Sequence, residues 1–175
     1  MSRTPRRRLY LLRHAKSSWK QPDLADHDRP LSGRGRRAAK AIARHVREQR
    51  IAPELVLCST ARRTRETFER LEPAVGTPDV RFERELYGAT ALVLLDRLHR
   101  VPEETGSVLL IGHNPAIEEL ALDLARPSGA RSELEAKFPT GALATLELAG
   151  MSWRELGRSG AELVGFVRPR DLERP

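Results

Sequence analysis

The sequence predicts an α/β fold, a single three-layer α/β/α domain built on a mostly parallel sheet. Three observations point to it. Apolar runs of strand length alternate with segments of helical periodicity. Those runs are nearly continuous in apolar character, as expected for strands buried on both faces. Several of them end abruptly in a turn that opens the next helix. At 175 residues the chain is long enough to bury about two-thirds or more of its unfolded surface. The domain is assigned to residues 1–175, with 1–7 and 170–175 as loose ends.

Residues 8–12 (RLYLL) predict the first strand. After a polar loop with Pro22 and Pro30, Ser32 is a natural N-cap, and Ala38, Ala39, Ile42, Ala43 and Val46 behind it fall at helical spacing. Residues 53–59 (PELVLCS) predict a second buried strand, and 61–71 predict a helix following almost without a loop. A short strand around Val80 to Phe82 precedes a helix at 91–101. Residues 107–125 repeat the opening pattern: an apolar strand, Gly112, His113, then Pro115 opening a helix, where a missing N–H is tolerated. Residues 141–148 and 162–169 predict two C-terminal strands joined by a hairpin connection, which gives the sheet an antiparallel edge. His45 and His99 read as surface groups on their helices.

The formal net charge is +7, and it comes almost wholly from arginine, since lysine occurs only at Lys16, Lys20, Lys40 and Lys137. Such a balance admits phosphorylated molecules, acidic proteins or nucleic acid as partners. A nucleic-acid-binding module also needs stacking platforms, and aromatic residues are only 5% of the chain. Cys58 is the only cysteine, so neither an intramolecular disulfide nor a CxxC metal pair can form. The opening MSRTPRRRLYLLRH has too few apolar residues for a signal core or a membrane span. A cytoplasmic monomer without membrane contact is the expectation.

The unusual chemistry lies at the strand ends. In an open parallel sheet, ligands bind beyond the carboxyl ends of the strands. Here the first strand runs into Arg13 and His14, the second into Ser59 with Arg62 and Arg63 beyond, and a later one into Gly112 and His113. A strand needs no basic pair for its stability, and adjacent cationic groups repel unless an anion lies beside them. Two histidines suggest a metal, but spacing pins no third ligand and the arginines would repel a cation. Arginines, a neutral histidine and a helix start are what a phosphoryl group requires, and a second histidine is a candidate nucleophile toward phosphorus. These residues predict a metal-independent phosphatase with no cofactor.

These motifs resemble the histidine phosphatase superfamily, which shares its fold with cofactor-dependent phosphoglycerate mutase. Arg13-His14-Ala15 resembles its RHG signature. DRPLSGRGRRAA (28–39), CSTARRTRET (58–67) and LIGHNPAIEEL (110–120) are similar to the SixA-type branch of phosphohistidine phosphatases, in the expected order. The resemblance implies His14 as the phosphorylated nucleophile, and Arg13, Arg29, Arg63, His113 and Asn114 as phosphate-binding groups. The family spacing selects Ser59, Arg63 and Thr67, hence Arg63 over Arg62. For the general acid, FERELYG offers Glu83 and Glu85, of which Glu85 is favoured. The departure from RHG at Ala15 needs only a backbone conformation that alanine can adopt.

No long insertion remains to build a lid, so the site is expected to be shallow and open. That suits a phosphohistidine on a protein, in a signal-transduction role. Hydrolysis of small phosphorylated substrates is the alternative.

Overall fold

A computed structural model describes residues 6–173. Six strands form one sheet in the order β3-β2-β4-β1-β5-β6. They are β1 (Arg7–Arg13), β2 (Leu55–Ser59), β3 (Asp79–Glu83), β4 (Ser107–Gly112), β5 (Leu143–Leu148) and β6 (Ala161–Val167). β1, β2, β3 and β4 pair in parallel, whereas β5 is antiparallel to both β1 and β6. This is the predicted parallel sheet with an antiparallel edge, of the phosphoglycerate mutase-like kind and without a lid insertion.

Alternation along the strands builds two cores. Leu9 and Leu11 of β1, Leu57 of β2 and Leu110 of β4 lie in one. It is closed by α3 (Ala91–His99), α4 (Ala116–Leu124) and the short α5 (Arg131–Ala136). Tyr10, Leu12, Val56, Cys58, Leu109 and Ile111 point to the other face, where they meet Ile42 and Val46 of α1 (Gly33–Glu48) and Phe68 and Leu71 of α2 (Arg62–Leu71). Burial on both faces explains why the central strands read as unbroken apolar runs.

Three details depart from the sequence expectations. Arg7 is already paired in β1, opposite Leu148. Residues 169–172 form a helical turn, α6 (Pro169–Leu172), whose Leu172 carbonyl accepts from Arg44 at 3.2 Å. Of the expected loose ends, residues 1–5 and 174–175 lie outside the described residues. His99 is half-buried, with its Nε2 2.7 Å from the Leu156 carbonyl oxygen, so it ties α3 to the hairpin connection.

The register carries the fold to the site. Arg13 of β1 lies opposite Gly112 of β4, and Cys58 of β2 opposite Ile111. Three neighbouring strands therefore end at one level, and His14, Ser59 and His113 follow there. The loop after His14 is fastened to the start of α1. Ser18 N donates to Pro30 O (2.8 Å) and Ser32 N to Lys16 O (2.9 Å). The Ser32 hydroxyl accepts from Gly35 N and donates to Lys16 O, so the predicted cap also anchors the loop.

Gly35 makes this junction possible. A Cβ there would overlap the Lys16 carbonyl oxygen and lie 3.0 Å from the Lys16 nitrogen. Backbone, unlike a flexible side chain, yields only by moving the loop. Gly35→Ala is therefore expected to destabilise the protein by about 1–3 kcal/mol, a lower Tm in thermal denaturation, and to reduce oxyanion binding by displacing His14. An unchanged Tm would show that the junction is loose.

Candidate active site

His14 leaves β1 at a backbone bond from its N–H to Gly112 O (3.0 Å). Its ring is buried, and Nδ1 lies 2.6 Å from the Ala15 carbonyl oxygen. A carbonyl only accepts, so Nδ1 carries the proton and Nε2 holds the free lone pair. Ala15 is fully buried against Leu31 and Ala39, and its N–H donates to the Thr67 hydroxyl (3.1 Å). Thr67 in turn donates to Arg63 O (2.7 Å). The Ser59, Arg63, Thr67 spacing thus ties the His14 loop to α2.

His113 lies beside His14, with ring centroids 5.3 Å apart. Its Nε2 is 2.8 Å from the Ser59 hydroxyl, which also accepts from Ala61 N at 3.3 Å. A hydroxyl accepting from Ala61 is free to donate to Nε2, the arrangement that goes with the His113 tautomer protonated at Nδ1. That atom is buried without a partner.

The arginines are arranged around Asp26, on the helical turn Asp26–Asp28. Arg29 Nη2 reaches Asp26 Oδ1 at 2.9 Å. Arg63 Nη2 reaches Oδ2 at 3.0 Å, and its Nη1 donates to Asp26 O at 2.8 Å. Tyr87 O–H donates to Oδ2 at 2.7 Å. Both guanidinium side chains are 8% exposed, whereas Arg62 is 49% exposed and pairs with Glu66. Arg29 also lies 3.4 Å over the ring of exposed Trp19. Arg13 donates to Phe138 O (2.9 Å), which also accepts from Asn114 Nδ2 (3.1 Å). Among the described residues, Nε of Arg13, Arg29 and Arg63 and Nη1 of Arg29 are buried and make no hydrogen bond. Buried cationic donors left open point to an anionic ligand.

Electrostatics follow from this crowding. Burial, with Arg63, Arg13 and Arg29 adding repulsion, pushes the His14 imidazole down to about 4. Burial and the neighbouring His14 and Arg63 take His113 down to about 3. Burial alone would raise Asp26, but bonds from Tyr87, Arg63 and Arg29 outweigh it and hold the carboxyl well below the usual range. Burial pushes the Cys58 thiol up to about 12, so it is no competing nucleophile.

The structure brings together His14, Arg29, Arg63 and His113, with Arg13 and Asn114 joined at Phe138 O. Glu85 is not brought into this cluster by a hydrogen bond: its carboxylate accepts from Arg100 at 3.0 and 3.2 Å and lies 3.7 Å from Arg97. Glu83 is bound by Arg97 at 2.7 and 2.9 Å. Neither glutamate makes a hydrogen bond to the cluster among the described residues; Arg97 of α3 and Arg100 just after it hold them instead. Sequence reasoning missed Asp26 and Tyr87. The signal for Asp26 was its place three residues before Arg29; Tyr87 was passed over in ELYG for the glutamates beside it.

This geometry has known counterparts. The family model described as the histidine phosphatase superfamily (branch 1) matches residues 9–87. An uncharacterized protein of Mycobacterium tuberculosis is 38% identical over 164 residues, covering 91% of this chain and all of the relative. An uncharacterized chloroplastic protein of Arabidopsis thaliana is 36% identical over 93% of this chain and 78% of its own. Among solved structures, a provisionally designated phosphohistidine phosphatase SixA from Nakamurella multipartitia superposes with a TM-score of 0.83 at 35% identity, over 94% of this chain and 96% of that one. Another so designated, from Agrobacterium tumefaciens, gives 0.80 at 32% identity, over 93% and 98%. The chain belongs to the histidine phosphatase superfamily, in its SixA-type branch.

Two measurements test the site. From about pH 6.5 down to about 4 at His14, and to about 3 at His113, the unfolded chain binds protons that the folded protein does not. Stability contributed by the neutral rings is present above pH 6.5 and lost as pH falls through that window. NMR titration of the ligand-free protein should show both rings neutral at pH 5, and tungstate should raise both midpoints, because an anion favours imidazolium. Midpoints near 6.5 without ligand would mean that the rings are solvated. Arg63→Ala should weaken tungstate binding by about 1.5–3 kcal/mol, roughly 10- to 150-fold, on calorimetry, with Arg62→Ala near wild type. The reverse order would place the wrong arginine in the site.

Proposed function

We propose that the protein is a phosphatase that removes the phosphoryl group from a phosphohistidine on a protein, through a covalent phosphohistidine at His14. The observation that carries this reading is the pairing of a neutral His14, unprotonated at Nε2, with buried guanidinium N–H groups that lack a partner. Membership of the superfamily and likeness to the SixA structures support phosphatase chemistry.

In the proposed reaction the Nε2 lone pair of His14 attacks phosphorus, and the bond from phosphorus to the substrate's ring nitrogen breaks. The substrate imidazole, protonated on its other nitrogen, leaves as a neutral base. Arg13, Arg29 and Arg63 bind the phosphoryl oxygens, and His113 donates through Nδ1–H. Water then attacks phosphorus, the bond to Nε2 breaks, and the water proton ends on the released phosphate. His14 returns neutral, still held by Ala15 O.

Two features favour phosphohistidine over an alkyl phosphate. The carboxyl nearest the cluster, Asp26, is held ionised and is a poor proton donor. An alkoxide needs that proton as it leaves, whereas a neutral imidazole does not. The lack of a lid leaves the strand ends open to a side chain presented by another protein. Small-molecule phosphatases share the fold, among them the structure named for mycobacterial glucosyl-3-phosphoglycerate phosphatase (TM-score 0.64, 18% identity), so hydrolysis of small phosphoesters is the second reading.

Acid-labile, base-stable label should be trapped on His14 when a phosphohistidine protein is mixed with enzyme and quenched, and His14→Ala should abolish both label and phosphate release. Activity should survive exhaustive chelation with EDTA. Glu85→Gln should leave phosphohistidine hydrolysis within about twofold, since general-acid help of 10²–10⁴-fold is not expected from a carboxylate tied to Arg100. Label on another residue, rescue of chelated enzyme by a divalent ion, or a better rate on an alkyl phosphate would each redirect the assignment.

A further inference from the structure

Beside the His14 loop lies an open cleft of about 630 Å³. Its cationic lining comprises Arg13, Lys16, Arg34, Lys137, Arg168 and Arg170, and Glu173 is its one acidic residue. Arg168 is neutralised by Asp171 at 2.9 Å and Glu133 at 3.3 Å. Lys16, Arg34, Lys137 and Arg170 are exposed and make no ion pair among the described residues. Ala38, Ala136, Pro139 and Pro169 supply an apolar component. A larger cavity, of about 760 Å³, is also bordered by arginines, but there Glu66 engages Arg62 and accepts from Leu31 N. Five cations face two glutamates in that cavity, against six facing Glu173 in the smaller cleft, which therefore carries the greater charge excess and adjoins the His14 loop.

Its position connects it to the chemistry. Arg13 lines the cleft and also bonds Phe138 O, next to the lining residues Pro139 and Thr140. Lys16 is two residues beyond His14, and Gly141 N bonds the Arg13 and His14 carbonyls at 3.0 Å. The four cations come from four segments: the loop after β1, the first turn of α1, the stretch before β5, and α6. Charges spread along a partly apolar cleft match a series of carboxylates on an extended polypeptide better than one compact polyanion.

We propose that this cleft docks an acidic segment of the phosphohistidine-bearing protein, so that substrate choice rests on charge beside the phosphoryl site as well as on the phosphoryl group. This rests on the phosphohistidine reading above. Complementary rim charge acts on encounter and selection, and each exposed pair is worth roughly two- to fivefold. Three such pairs give about tenfold.

The test uses two synthetic phosphohistidine peptides, alike except that the residues flanking the histidine are aspartate in one and serine in the other. Wild type is expected to show about tenfold higher kcat/KM on the acidic peptide, with the preference shrinking as salt rises. In Arg34→Glu/Lys137→Glu/Arg170→Glu the preference should vanish, while hydrolysis of phosphoramidate stays unchanged. Fluorescence anisotropy of both peptides with His14→Ala measures docking independently of turnover. If no peptide loses phosphate but the acidic one still binds more tightly through the cleft, the phosphohistidine reading fails and the docking site stands. Equal binding of the two peptides, a preference that survives the triple substitution, or inorganic tripolyphosphate being the only species the substitution weakens would overturn the proposal.

Discussion

The carboxylate of Asp26 makes the rest of the site possible. It accepts from Arg29, Arg63 and Tyr87, each within 3.0 Å, and so lets two buried guanidinium groups share one crevice. Two unit charges 4 Å apart repel by about 4 kcal/mol at an effective dielectric of 20, and Arg13 adds a third charge nearby. Asp26 offsets that repulsion, while the strand ends themselves are held by sheet pairing. The bond to Asp26 also keeps the Tyr87 hydroxyl protonated, raising it above its ordinary value, so the phenol remains a donor in the same network.

The cations that would bind an oxyanion also set the chemistry of the histidines. Burial and arginine charge act in the same direction on His14 and His113, and both stay neutral at ordinary pH. A free lone pair on His14 is therefore a consequence of the anion-binding arrangement, and no dedicated base is required. The Ala15 carbonyl fixes which nitrogen carries the proton. The sheet supplies the rest, since β1, β4 and β2 are neighbours ending in register, and Gly35 lets α1 close against the loop that follows.

Local patterns in the sequence went far. Unbroken apolar runs located the central strands because burial on both faces removes the usual alternation, and Ser32 marked the start of α1. Arg63 was distinguished from Arg62 by the family spacing that the resemblance implies, from Ser59 at the end of β2 through Arg63 to Thr67 on α2. What was not legible depends on long-range pairing. Asp26 acquires its role only when the turn meets α2, 37 residues on, and Tyr87 only when β3 delivers it there. The pairing of Glu85 was not legible for the same reason: its partners Arg97 and Arg100 lie at the C-terminal end of α3, whose approach no local pattern encodes. The four-residue α6 is too short for periodicity to register.

The fates of the three carboxylates bear on leaving-group preference. Glu83 is committed to Arg97 and Glu85 to Arg100, which braces the end of β3 and the turn after it against the C-terminal end of α3. Asp26 is committed to the arginines, and the pull that holds it in place also keeps it ionised across the physiological range. A carboxylate cannot both anchor two guanidinium groups and hold a proton for transfer, because protonation would remove the attraction that positions it. In this arrangement binding strength and general-acid capacity are opposed, and the bonding around Asp26 resolves the conflict in favour of binding. Phosphoryl donors whose leaving group departs as a neutral base fit such a site, since for them the missing proton lies on the substrate from the start.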